Sequence, residues 1–314
     1  MIPALVLTAG LATRLRPLSL VRAKAALPVA GHPLIIRILR ALRAAGVTDA
    51  VLNLHHLPQT LTRIVGDGTE LDMRVRYSWE NPVLGSAGGP RQALPLLDSP
   101  TFLIVNGDTL ADVDIEGLVA AHKQSGALVT MAAAANENPE KYGGIVASAD
   151  GTVTGFAKRG STQPSYHFVG LQVVEAEVFA SLARGIPHES VGAVYPALMS
   201  DRPGSVRAHV GVTEFFDIGT PDDYLRTSLA LSRREGTRTA GGAGTRVDAT
   251  ARVDDSVLWD DVEVGAGSSL KECIVTDGAR VPDDTSWVGV TLRRADNQLA
   301  PGEKQIGDLA IASI

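Results

Sequence analysis

The sequence predicts an α/β protein: a mostly parallel sheet with helices on both faces, followed by a short parallel β-helix. Three observations carry this reading. Short apolar runs alternate with helical stripes through the first half of the chain. A glycine-rich stretch, GTRTAGGAG at 236–244, interrupts it after a helix that begins near Pro221. Beyond that stretch, one pattern recurs at a shift of 17 residues.

The elements follow in order. Ile2–Leu7 reads as a buried strand running straight into a glycine-containing loop. Pro33 opens a helix with its apolar stripe at Leu34, Ile35, Ile38, Leu39 and Leu42, closed by Gly46. Further strands are expected at Ala50–Leu54, Arg74–Tyr77 and Phe102–Val105, and helices near 59–65, 88–96 and 115–124. Ligands of such sheets bind where the strands end at their carboxyl side. The loops after the first strand and after Val105 are therefore the candidate site.

In the tail, Ser256–Gly267 can be laid over Cys273–Asp284. Val257 falls on Ile274, Leu258 on Val275, Asp260 on Asp277 and Val264 on Val281, and a weaker copy surrounds Val247 and Val253. Apolar residues every five or six positions between Gly and Asp mark a β-helix of two to three coils, with a hairpin or small barrel as the alternative. So short a solenoid needs a cap or a second subunit, and a homo-oligomer is expected. The expected domains are 1–235, a linker at 236–244, and a tail at 245–314.

Composition excludes several classes. With 314 residues, 45% hydrophobic and 20% charged, the chain is a folded one. No apolar run approaches the ~18–20 residues of a membrane span, and the start lacks the basic segment of a signal peptide, so a cytoplasmic protein without membrane partners is expected. Cys273 stands alone, which excludes internal disulfides. Lys and Arg balance Asp and Glu at 22 each over 1–244, against 7 and 13 over 245–314, so the net −6 lies in the tail. No basic face is available for nucleic acid.

The loop Leu7–Pro17 reads LTAGLATRLRP. Its turn at Gly10 brings backbone N–H groups close to a ligand, and Thr13, Arg14 and Arg16 add donors. Arg14 has the planar fork that grips phosphate, and Lys24, in AKAALPVAG, supplies a compact second cation. The alternative is a solvated basic loop. No Walker A motif is present, and Ala12 and Leu15 replace the second and third glycines of a dinucleotide fingerprint.

The string LTAGLATRLRPLS…AKAALPVAGHPL resembles the amino-terminal signature of the sugar-1-phosphate nucleotidylyltransferases. It departs from that signature at Ala12, Ser19 and Ala23. The resemblance continues through LGSAGGP (84–90), VNGDTL (105–110) and FFDIGTPDDYL (215–225), covering about 230 residues. It implies a Rossmann-like sheet and, as in mannose-1-phosphate guanylyltransferase-like members, a left-handed β-helix. It also implies Mg²⁺-dependent attack of a sugar 1-phosphate on the α-phosphorus of a nucleoside triphosphate. Such a transfer asks the protein for positioned cations, and for carboxylates to hold the metal.

The resemblance makes Arg14 and Lys24 the catalytic cations and gives the metal to Asp108 and Asp217. By residue alone, Asp108 could equally stabilise a turn, and Asp217 could cap the helix near Pro221. Substrate contacts are implied at Leu7, Ala9, Gly10 and Thr13. For the base they are implied at Gly85, Ala87 and Gly88 of LGSAGG, with Glu80 and Asn81 reading base edges. For the sugar they are implied at Gly144, Lys158 and Gly170. Ala157 and Val169 stand where many members have glutamate and asparagine, which points to a relaxed or altered sugar pocket. His55-His56 could form a metal pair, but no further zinc spacing is visible. The leading substrates are GTP and mannose 1-phosphate, with uridylyl or thymidylyl transfer as the alternative. A non-catalytic nucleotide-sugar sensor is the rival of another class. An acyltransferase tail is disfavoured because all seven histidines lie at or before His209.

Overall fold

The computed structural model describes residues 1–212, 214–236, 241–296 and 299–314. Residues 237–240 of the expected linker lie outside the described residues. The chain forms two compact units, Met1–Gly10 with Arg37–Phe216, and Leu11–Ile36 with Asp217–Ile314. No helix among the described residues is long and apolar enough to cross a membrane.

The first unit is built on a nine-stranded sheet. Ala4–Leu7 lies between Asp49–Leu54 and Thr101–Asn106, parallel to both, and Arg74–Trp79 extends the parallel run. Successive strand residues point to opposite faces, and Leu5 and Val6 are both fully buried, so the sheet is covered on both sides. On one face, Leu5, Val51 and Ile104 meet Ala87, Ala93 and Leu97 of the helix Gly85–Leu97. That helix starts earlier than its apolar pattern suggested, because Gly85–Gly89 forms its first turn. The helix Ile115–Ser125 is set by its ends: Asp114 accepts from the Gly117 N–H at 2.9 Å, and Gly126 closes it in the left-handed region. Tyr166–Glu175 then runs antiparallel to Thr101–Asn106, a reversal the apolar pattern does not announce.

In the second unit the 17-residue shift is the strand register itself. Val257 pairs with Ile274 and Ile274 with Thr291; Arg252 pairs with Ser269 and Ser269 with Ser286; Arg246 pairs with Glu263 and Glu263 with Arg280. Three faces of three parallel strands make three coils. Their interior is filled by Leu258, Val264, Leu270, Cys273, Val275, Val281 and Leu292. One face is extended by the chain's own end, where Leu309–Ser313 pairs antiparallel with Val290–Arg294. This hairpin covers an edge that would otherwise be open for pairing. The helix Pro221–Arg234 and the segment Leu11–Ile36 belong to the same unit.

Candidate active site

In the first unit, the carboxyl ends of two neighbouring strands build one edge. Leu7 pairs with Asn106, and the Gly107 N–H donates to the Leu7 carbonyl at 2.9 Å, so the turn that carries Asp108 leaves the sheet at the same edge as the loop after the first strand. A Cβ on Gly107 would lie 2.7 Å from that carbonyl, so only glycine permits the approach. Gly170 is brought to the same edge, since a Cβ there would meet Thr109 Oγ1 at 2.6 Å and Asn106 Cβ at 2.9 Å. Leu7 and Gly170 are thus brought to this edge, with Ala9, Gly10 and Asp108 in the segments that continue from it. Gly10 differs from its neighbours in having nothing within 4 Å of a Cβ position. Gly10 is exposed, and no described group beyond its chain neighbours fills the space that its missing side chain leaves.

The organiser of this edge is Asn53, which sequence reading missed. Its Oδ1 accepts from the Thr8 N–H at 2.5 Å and the Ala9 N–H at 3.3 Å, and its Nδ2 donates to Glu80 Oε1 at 2.7 Å. The other Glu80 oxygen accepts from the Leu84 N–H at 2.8 Å. A buried amide therefore ties the loop after the first strand to the segment leading into LGSAGG. The only signal for it was a polar residue inside the apolar run DAVLNL. Glu80 is only 4% exposed, with both oxygens taken. The geometry makes it a holder of the loop, in place of the base reader expected. His55 Nδ1 lies 2.9 Å from the Glu80 carbonyl.

LGSAGG is packed closely on the protein's own chain. Ala87 and Gly88 both turn their N–H groups to the His188 carbonyl, at 2.9 and 3.3 Å. A Cβ would lie 2.7 Å from that carbonyl at Gly85, and 2.6 Å from the Ile186 carbonyl at Gly88. At Gly89 it would lie 2.7 Å from Glu80 Oε1. These glycines admit the protein's own 186–189 segment and the Glu80–Asn53 pair. Gly144 behaves likewise: it pairs with Ala157, next to Lys158, and Ser165 Oγ fills its side-chain position. Nearby, His167 stacks on Phe215 and lies tilted against Tyr142, with ring centroids at 4.5 and 4.2 Å, and Tyr142 meets Phe215 edge-on at 5.7 Å. Burial, then the charge of Lys141, pushes the His167 pKa down to about 4, so it is neutral at pH 7. Val169 is 2% exposed, an apolar residue in the interior.

The second unit holds the remaining predicted residues. Thr13 and Arg14 open a 3₁₀ turn, preceded by Ala12 in the left-handed region at φ 47°, and Ser19 Oγ donates to the Ala12 carbonyl at 2.9 Å. Lys24 opens a second such turn, Lys24–Ala26. Asp217 ends the strand Phe215–Asp217. The cap of the following helix is Thr220, whose side chain accepts from the Asp223 N–H at 3.1 Å, so Asp217 is not spent on capping. Around Gly219, a Cβ position would lie 3.3 Å from Asp217 Oδ2, 3.1 Å from Asp223 Oδ2 and 3.7 Å from Arg14 Nη1. Arg14 and Asp217 are thus neighbours across a residue without a side chain. Among the described residues, no three or more His, Cys, Asp or Glu side chains group as a metal cage. A hard cation that takes one or two carboxylates and completes its shell with phosphate and water needs no such cage.

Comparison with known proteins agrees with this layout. Residues 3–234 match the family described as nucleotidyl transferase, and residues 238–304 match the GlmU-like, C-terminal hexapeptide family. Mannose-1-phosphate guanylyltransferase of Mycobacterium tuberculosis is 28% identical over 291 residues, covering 89% of this chain and 81% of that protein. UTP–glucose-1-phosphate uridylyltransferase of Synechocystis is 25% identical over 279 residues, covering 83% and 71%. Among solved structures, HddC from Yersinia pseudotuberculosis shares the fold at TM-score 0.65 and 20% identity, over 74% of this chain and 100% of that one. With a family match spanning most of its length, the chain belongs to the nucleotidyl transferase family of enzymes.

Proposed function

We propose that the protein joins a nucleoside triphosphate to a sugar 1-phosphate, releasing pyrophosphate, with GTP and mannose 1-phosphate as the leading pair. The observation that carries the reading is the edge where Leu7 pairs with Asn106 and the Gly107 N–H bonds the Leu7 carbonyl, so that the segments leading to Gly10 and to Asp108 leave the sheet side by side. A sugar-phosphate oxygen forms the new bond to the α-phosphorus, and the bond from that phosphorus to the bridging β-phosphate oxygen breaks. In this reading, Gly10 lets phosphates approach the backbone and Thr13 adds a donor. Arg14 holds the β- and γ-phosphates, and Lys24 meets the charge that builds on the α-phosphate. Lys158 receives the sugar phosphate, and Gly85, Ala87 and Gly88 form the wall beside the base. Asp108 and Asp217 carry the hard oxygen donors that suit Mg²⁺, which when bound neutralises phosphate charge. Guanylyl transfer is favoured over uridylyl transfer by the stronger likeness to the mycobacterial protein. The β-helix as a site of homo-oligomerisation belongs to the same proposal.

Pyrophosphate release in Mg²⁺, across a grid of nucleoside triphosphates and sugar 1-phosphates, tests this reading. One strong pair, abolished by Asp108→Asn, is expected. A blank grid from folded protein overturns it. Nucleotide-sugar binding without turnover would favour a sensor, the reading to which the apolar Ala157 and buried Val169 lend weight.

A further inference from the structure

We infer that the β-helix clamps the loop bearing Lys24, with Arg22 as the positioning residue that the clamp holds. The inference rests on the proposed function for its kinetic consequence and on geometry for everything else. Arg22 Nε donates to Asp277 Oδ2 at 2.7 Å and Nη2 to Asp277 Oδ1 at 2.6 Å, a two-pronged pair, and Nη2 also reaches Asp260. Asp260 and Asp277 occupy the same position on successive coils, 17 residues apart, and the Asp260 N–H donates to Asp277 Oδ1 at 3.2 Å. The solenoid's own repeat thus stacks two carboxylates to receive one guanidinium.

The pair is not a loose surface contact. The Arg22 side chain is 12% exposed, and its Cζ lies 5.4 Å from the centroid of the fully buried Trp259 ring. Planar, fork-shaped donation to a carboxylate with an aromatic face beneath it is a geometry that lysine cannot reproduce. Exposed ion pairs are weak because solvent screens them; here the guanidinium is withdrawn from solvent, while the Asp260 and Asp277 side chains stay 41% and 31% exposed.

A second anchor holds the other end of the loop. Trp259 Nε1 donates to the Tyr224 hydroxyl at 2.8 Å, and that hydroxyl donates to the Pro28 carbonyl. Tyr224 is fully buried on the helix that starts after Asp217. Residues 22 and 28 are therefore both fixed through Trp259, and Lys24 lies between them. The chain between the anchors is short and internally bonded, with the Ala26 N–H to the Ala23 carbonyl at 2.8 Å and the Leu27 N–H to the Lys24 carbonyl at 3.2 Å. Fixing its ends fixes the backbone from which the Lys24 ammonium projects. Rate is steeply sensitive to such placement, since a displacement of about 1 Å can cost on the order of 10²-fold. The tail is then a brace for catalysis in addition to any role in assembly.

The test uses the full chain with Arg22→Met, Arg22→Lys and Asp260→Asn/Asp277→Asn. It reads steady-state kinetics on the best substrate pair and amide hydrogen exchange over residues 22–28 and over the coils. Expected is a fall in kcat of about 10- to 100-fold for Arg22→Met and the double variant, the range that misplacing a catalytic group produces. Faster exchange confined to residues 22–28 should accompany it, with partial recovery in Arg22→Lys. Folded Arg22→Met with kcat within twofold of wild type and unchanged exchange at 22–28 overturns the clamp. If Arg22→Met fails to fold, the double variant decides by the same two readouts. If wild-type protein turns over no substrate pair, the proposed function has failed, and the exchange arm still tests whether the β-helix holds the loop.

Discussion

The two glycine-bearing loops of the first unit look alike in sequence and are built on opposite principles. In LGSAGG, every glycine position but the alanine between them is taken up by the protein itself, by the His188 and Ile186 carbonyls and the Glu80 carboxylate. In the loop after the first strand, Gly10 faces open space while its neighbours Thr8 and Ala9 are pinned by Asn53. A glycine is thus a sign of close approach, and what approaches must be asked of each one. At 85–89 the answer is the protein's own carbonyls and carboxylates, and at Gly10 no described group beyond its chain neighbours approaches.

The largest effects should separate the ligand side of this comparison from the packing side. Lys24→Ala is expected to fold normally and lose about 10²–10³ in turnover, the usual consequence of removing a preorganised charged donor. Gly10→Ala should also keep its stability and lose turnover, because the added methyl enters space the protein does not use. Thermal melts and pyrophosphate release check both, and near-normal turnover in Lys24→Ala would remove that residue from the chemistry. Gly88→Ala should do the reverse. Its Cβ would lie 2.6 Å from a backbone carbonyl, which cannot rotate away, so a stability loss of roughly 1–3 kcal/mol is expected from overpacking. A urea titration reads it, and an unchanged midpoint would mean that the 186–189 segment yields freely.

Asn53→Ala sharpens the comparison, because it removes the link between the two loops. It leaves the Thr8 and Ala9 N–H groups and the Glu80 carboxylate without their buried partner. A loss on the order of 1–3 kcal/mol is expected for stranding such groups. Asn53→Asp should not restore stability, since it places a second carboxylate against Glu80. Wild-type stability in Asn53→Ala would show that the two loops hold their positions independently. A smaller effect concerns His167, whose pKa is about 4 in the folded chain against about 6.5 unfolded. The unfolded state binds the proton first, so the His167 contribution to stability is full above about pH 6.5 and is lost as pH falls toward 4. His167→Phe should flatten that part of the stability profile.

Much of this architecture was legible because its signals are local. The apolar runs and stripes give the strands and helices of the first unit, and the 17-residue shift is the coil register. The edge residues Leu7, Gly10 and Asp108 follow from where the strands end. What stayed hidden depends on partners far away in sequence. Arg22 reads as one more cation in a basic loop until Asp277, 255 residues on, is seen to receive it. Asn53 carries no periodic signal, and its meaning lies in the three segments it joins. The base-reading role expected of Glu80 fails for the same reason, since nothing local shows that both its oxygens are already taken.

Ala12 completes the comparison from the other side, as a position where the fold would accept glycine and the sequence has alanine. It sits at φ 47° and ψ 44°, a left-handed conformation that strains a residue with a Cβ by roughly 1–2 kcal/mol. Its carbonyl accepts from Ser19 Oγ and from the Leu15 N–H, and these two bonds hold the turn in that conformation. Ala12→Gly removes the strain but frees the unfolded chain, which offsets about 0.4–1 kcal/mol of the gain. The net expectation is a rise in stability of roughly 0–1.6 kcal/mol. A measured loss would mean that the Ala12 methyl contributes packing that outweighs its strain. If stability rises while turnover falls, the strained turn is itself setting the direction in which Thr13 and Arg14 leave the backbone, and the alanine is kept for the geometry of the site.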